Sequence, residues 1–160
     1  MPRYLSFSLL LVLFSCSLPE KKEPESSYEE KMKMMDADKA FSKLSKEKGM
    51  KKAFIEYMDG EGVLLRPNQY PLIGASAIDF LSQVNDTAFT LEWEPQKAYI
   101  AKSGELGYTF GIYALKPSAA DTILYGTYVS IWKKQPDGSW KFVLDSGNEG
   151  VDVAGPDSLQ

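Results

Sequence analysis

The chain has 160 residues, with 22 acidic and 18 basic side chains, a net charge of −4, no histidine and one cysteine. That balance gives no electrostatic support to a nucleic-acid partner, whose phosphates call for a basic surface. The missing histidine removes the commonest general base and transition-metal ligand, and a single cysteine excludes an intrachain disulfide, so neither a metal nor a cofactor is expected.

Arg3 followed by a short apolar run over residues 5–14 has the layout of an export signal, and the run is too short to span a bilayer as a permanent helix. It ends in Leu13, Phe14, Ser15 and Cys16, which resembles the lipobox of bacterial lipoproteins. The resemblance implies cleavage after residue 15, lipidation of Cys16 and attachment to the bacterial envelope, at the outer membrane facing the periplasm. The alternative is an ordinary export signal, which leaves an exported thiol without a reason. Residues 16–30 turn to proline, serine, lysine and glutamate, which bury too little apolar surface to fold alone, so they read as a flexible spacer.

The folded domain is expected over residues 31–148. Met34, Ala37, Phe41 and Leu44 recur at helical spacing and predict a helix over 31–48 that Gly49 ends. A second helix is expected over 50–58, broken by Asp59, Gly60, Glu61 and Gly62. A short strand follows at 63–66, stopped by Pro67, and then a loop. Ala77, Ile78, Leu81 and Val84 predict a third helix over 74–84. After it come four strands, at 91–101, 106–115, 124–134 and 140–145. Pro95 marks the first as an edge strand or a bulged one, because proline withdraws a ladder donor. Gln135, Pro136, Asp137, Gly138 and Ser139 form a hairpin turn between the last two. Residues 149–160 read as a loose tail. Helices followed by a run of strands give an α+β domain with the helices on one side of a mostly antiparallel sheet. Neither face of the sheet is fully polar, so one face meets the helices and the other meets a second subunit or walls a cavity.

Several stretches resemble the nuclear transport factor 2-like superfamily, and within it the SnoaL-like branch of uncharacterised domains of the unknown-function 4440 type. They are residues 54–67 (FIEYMDGEGVLLRP), 74–78 (GASAI), 93–95 (WEP), 103–111 (SGELGYTFG) and 128–145 (YVSIWKKQPDGSWKFVLD). The resemblance implies a cystatin-like cone, in which a strongly curved sheet wraps around about three N-terminal helices and leaves a cavity, often in a homodimer. It does not imply one function, since that superfamily holds isomerases, cyclases, dehydratases and binding domains. In its steroid isomerases a catalytic aspartate precedes the proline that ends the first strand. Here Arg66 precedes Pro67, and an arginine does not abstract a proton at neutral pH. The enolate-stabilising tyrosine of those enzymes falls near Ser42.

What remains is a cavity and the side chains that line it. Tyr57, Arg66, Trp93, Tyr113, Tyr128 and Trp132 are the candidate ligand-binding residues, although each aromatic also fits an ordinary core. Arg66 either clamps a ligand carboxylate or pairs with an acid such as Asp59, Glu92 or Asp145. Asp145, Glu92 and Tyr108 are the candidate catalytic groups, with Tyr128 as a second hydroxyl donor. No catalytic set is identifiable from the sequence. The leading reading is therefore a membrane-tethered domain that binds a small organic ligand or serves as an accessory. A cofactor-free isomerase, cyclase or hydrolase, and a structural homodimer without ligand, stand beside it.

Overall fold

A computed structural model describes residues 25–150. The signal, the lipobox, Cys16 and the tail beyond Gly150 lie outside the described residues. Three helices, α1 (Glu25–Lys48), α2 (Met50–Tyr57) and α3 (Ala75–Gln83), pack on one six-stranded sheet. Its strands are β1 (Met58–Leu65), β2 (Leu72–Ile73), β3 (Phe89–Ile100), β4 (Leu106–Pro117), β5 (Leu124–Lys134) and β6 (Trp140–Glu149), in the order β2-β1-β6-β5-β4-β3. All neighbours are antiparallel except β1 and β6. The α+β architecture read from the sequence is the one observed.

Helix α1 begins at Glu25, so residues 25–30 are helical where a spacer is expected. Part of the reason is local: Glu30 bonds Lys33 three residues on at 2.9 Å and reaches Lys134 at the end of β5 at 2.8 Å. Helix α2 ends before Asp59 as expected, but strand β1 already runs through 59–62, five residues ahead of the expected start at Val63. The glycines are taken up by an irregularity between Met58 and Val63 in the pairing with β6. Strand β6 continues to Glu149 because Ser146, Gly147, Asn148 and Glu149 keep their partners on β5. The two residues of β2 pair with β1 in a stretch that reads as loop.

Pro95 does both things that its chemistry allows. It lies on the edge strand β3, and the register with β4 slips between Pro95 and Lys97. The outer edge of β3 is closed by α1 rather than by another strand. Ser42 Oγ accepts from the Trp93 amide at 2.7 Å and donates to the Trp93 carbonyl at 2.6 Å, and Ser45 Oγ donates to the Leu91 carbonyl at 2.7 Å. Serine hydroxyls thus stand in for a missing neighbour and blunt an edge that would otherwise invite pairing.

Phe41 of α1 is the centre of the core, with the rings of Trp93 at 4.5 Å, Phe54 at 4.8 Å, Tyr57 at 5.1 Å and Phe142 at 5.4 Å. Trp132 closes the cluster from β5 and is fully buried. Trp132, paired with Gly107 and Phe142, fills the end of the molecule where β4 starts and β5 ends, so the cone is solid there, while Phe54 and Trp93 face the other way. At the other end of the strands it is open.

Candidate functional site

The open end holds a cavity of about 210 Å³. Its deep side is aromatic, made by Phe54, Trp93 and Tyr128, and its walls are Leu91, Leu115 and Tyr113. Met50, Phe89, Pro67 and Glu149 surround the opening, with Pro67 and Glu149 exposed. Arg66, Asp145 and Gly147 complete one side. The strands place these groups by alternation. Trp93, Tyr113 and Gly126 lie in one row across β3, β4 and β5, and Gly111, Tyr128 and Gly147 lie in the next across β4, β5 and β6.

Each wall tyrosine leans over a glycine on the neighbouring strand. A β-carbon on Gly126 would collide with the Tyr113 ring, and one on Gly111 would meet Tyr128 Cε1 at 3.0 Å and strike the Glu94 carbonyl. Glycine here makes room for a ring to lie flat against the sheet, which is why the cavity is lined by tyrosine faces. The Tyr113 hydroxyl has no hydrogen-bond partner among the described residues. Burial, and then the charge of Glu149, push that hydroxyl above the usual phenol range.

Arg66 is paired. Its Nη2 donates to Asp145 Oδ1 at 2.8 Å, and its Nη1 donates to the carbonyls of Leu65 at 2.9 Å and Asp145 at 3.3 Å. Its guanidinium also lies over the Phe54 ring, 5.4 Å from the centroid. Asp145 Oδ2 accepts from Ser130 Oγ at 2.8 Å, so both carboxylate oxygens are engaged. Of the three acids that the sequence offered Arg66, Asp145 is the partner. Glu92 holds Lys46 on the surface at 2.6 Å, and Asp59 accepts from Gln135 at 2.9 Å.

Asp38 is the residue that sequence reasoning missed. It is fully buried behind the cavity, where Oδ1 accepts from Trp93 Nε1 at 2.7 Å and Oδ2 accepts from the Tyr128 hydroxyl at 2.8 Å. Thr109, which accepts from Trp132 Nε1 at 2.8 Å, hydrogen-bonds the same carboxyl. Loss of hydration pushes Asp38 up to about 6, with the three hydrogen bonds acting in the opposite direction. The Tyr128 hydroxyl is pushed far up, first by burial and then by the charge of Asp38. A signal was present in the sequence. Asp38 follows Met34 by four residues and precedes Phe41 by three, which puts a carboxylate inside the apolar stripe of α1.

The structure brings Arg66, Trp93, Tyr113, Tyr128 and Asp145 to one cavity. Four other candidates lie elsewhere. Tyr57 stacks on Phe41, and Trp132 is buried among the core rings, because the narrow end of the cone is filled by its own side chains. Glu92 points away from the cavity to its lysine. Tyr108 is on the outer face of the sheet, 42% exposed and stacked at 5.2 Å on Tyr99. Tyr108 and Tyr113 are five residues apart on one strand, so alternation sends them to opposite faces. Among the described residues no cluster of acidic side chains is placed to hold a metal ion.

Solved structures share this fold. The fold is that of the nuclear transport factor 2-like proteins. A ketosteroid isomerase-like protein from Erwinia carotovora atroseptica superposes with a TM-score of 0.63 at 15% identity, over 77% of this chain and 98% of that one. A nuclear transport factor 2-like protein with a cystatin-like fold from Novosphingobium aromaticivorans gives 0.63 at 13% identity, over 83% and 90%. One of unknown function from Pseudomonas putida gives 0.62 at 10% identity, over 79% and 91%. No protein-family model matches the sequence, and no curated protein is significantly similar to it. At these identities the likeness concerns the fold alone.

Proposed function

We propose that the protein is a lipid-anchored domain of the bacterial envelope that binds a small, largely apolar molecule, neutral or cationic at its polar end. The observation that carries the ligand class is the state of Arg66. Among the described residues it is the single cation on the cavity wall, and its charge is already met by Asp145, while Glu149 adds a second carboxylate at the opening. A carboxylate guest would displace a formed ion pair and face two acids, so it is disfavoured. The aromatic and aliphatic surface binds the body of the guest, and the Tyr113 hydroxyl meets its polar end. The anchor is Cys16, on the lipobox pattern alone. The SnoaL-like, unknown-function 4440 resemblance is compatible with this reading and adds no residue to it.

Isomerase chemistry of the steroid type has no base at the expected position, since Arg66 stands before Pro67. Asp145 is engaged at both oxygens, which leaves it poorly placed as a general base. A homodimer is the natural partner assembly, through the outer sheet face where exposed Tyr99 and Tyr108 stack with half-buried Phe110. The test of the ligand class is a fluorescence titration with neutral 1-aminonaphthalene, competed by 1-naphthoate. Binding that naphthoate fails to compete, and that Leu115→Trp abolishes by filling the cavity, supports the proposal. Preference for naphthoate contradicts it.

A further inference from the structure

The row of side chains that holds Tyr113 does not stop at β5. Its register runs from Tyr113 of β4 to Gly126 of β5 and on to Glu149 of β6. Directly opposed residues share a face of the sheet, so Tyr113 and Glu149 both stand on the concave side with only a glycine between them. Because Gly126 has no side chain, the Tyr113 ring lies across it, and a β-carbon there would collide with the phenol end of the ring, Cζ and Oη. The ring also borders β6, where a β-carbon on Gly147 would meet its Cε1 at 3.5 Å. The phenolic oxygen and the Glu149 carboxylate are thus brought to one corner of the opening, near enough for the charge of Glu149 to act on the hydroxyl. Among the described residues neither group has a side-chain hydrogen bond or ion pair.

This corner offers acceptors and no cation. Among the described residues lining the cavity, Arg66 is the only positive group, and Asp145 holds it at 2.8 Å. Glu149 therefore leaves the lining with an excess carboxylate, and Asp38 places another acid directly behind the aromatic wall, on the Trp93 and Tyr128 donors. Negative charge beside aromatic surface of low dielectric favours a cation. We infer that the guest is a protonated amine, whose ammonium N–H groups donate to the Glu149 carboxylate and the Tyr113 oxygen while its apolar body lies against the rings below. This rests on the cavity reading proposed above and narrows it to one charge state. Glu149 is exposed, so water and salt screen it and the preference for the cation is moderate.

The experiment uses the full-length protein in non-ionic detergent at pH 7, loaded with 1-aminonaphthalene. Two competitors are compared: 1-naphthylmethylamine, which is cationic, and 1-naphthylmethanol, its neutral counterpart. The amine should compete better than the alcohol by about three- to tenfold, the range expected of a screened ion pair joined by a charge-assisted hydrogen bond. Glu149→Gln should bring that ratio close to one. Glu105→Gln, which removes the same charge from an exposed site where β4 begins, should leave the ratio unchanged. Equal competition in the wild type, a preference for the alcohol, a ratio that Glu149→Gln leaves intact, or one that Glu105→Gln reduces as much overturns the inference. The cavity reading survives each of those results as long as Leu115→Trp blocks all three compounds. If neither competitor displaces the probe, or if Leu115→Trp still binds them, the cavity reading falls and the inference falls with it.

Discussion

Replacing Asp38 by asparagine tests whether a buried carboxyl sets the pH response of the cavity wall. In the folded protein the group is pushed up to about 6, against an ordinary value of 3.8, because it has lost its hydration. Below about pH 3.8 both the folded and the unfolded chain carry the proton, and the full contribution is present. As pH rises, the unfolded chain releases its proton first, so the stability contributed by the protonated group falls through the window from about 4 to about 6. The rise from 3.8 to about 6 corresponds to about 3 kcal/mol. Asparagine keeps an acceptor for Trp93 Nε1 and places an amide against the Tyr128 oxygen, but it does not titrate. The assay is urea unfolding followed by tryptophan fluorescence at steps from pH 4 to 7 for both proteins. The difference in unfolding free energy, Asp38→Asn minus wild type, should move in favour of the variant by about 2–3 kcal/mol across that range. Other carboxylates cancel in the difference. A constant difference, or one that moves in favour of the wild type, refutes the reasoning.

Further outcomes follow from the same contacts. Arg66→Ala leaves Asp145 buried without its counter-charge and should cost about 3 kcal/mol in urea unfolding, much of it restored when Asp145→Asn is added. Tyr128→Phe removes a hydrogen bond to a charged acceptor, a loss of about 1.5–3 kcal/mol at pH 7 that should shrink at pH 4, where Asp38 is protonated. Gly126→Ala forces the Tyr113 ring out of its place and strikes the Asn148 carbonyl; a loss of about 1–3 kcal/mol and weaker 1-aminonaphthalene binding are expected. Tyr108→Ser lies outside the cavity and should leave probe binding unchanged, whatever it does to association measured by ultracentrifugation.

The parts of the fold that obey a period or a turn rule were readable from the sequence. Met34, Ala37 and Phe41 set α1, the 135–139 turn set the hairpin, and Pro95 announced both an edge and a bulge. Boundaries failed where tertiary partners decide. Strand β6 is carried four residues past Asp145 by its pairing with β5, and Glu25 begins a helix in a stretch whose composition reads as spacer. Within the cavity, alternation correctly separated Tyr108 from Tyr113 but carries no depth, so it gave no means of telling Trp132, at the solid end, from Tyr128, at the open one. The register across four strands makes that distinction. Asp38 was visible as an acid in an apolar stripe, yet its partners Trp93 and Tyr128 are 55 and 90 residues away. Only the closed sheet brings them together.

Native mass spectrometry of the full-length protein released from its own membranes in mild detergent, beside Leu115→Trp, tests the central claim most directly. The account predicts that wild type carries a small non-lipid adduct at one copy per chain and that the filled-cavity variant, equally folded, carries none. The same adduct on both proteins, or a phospholipid in its place, would contradict it.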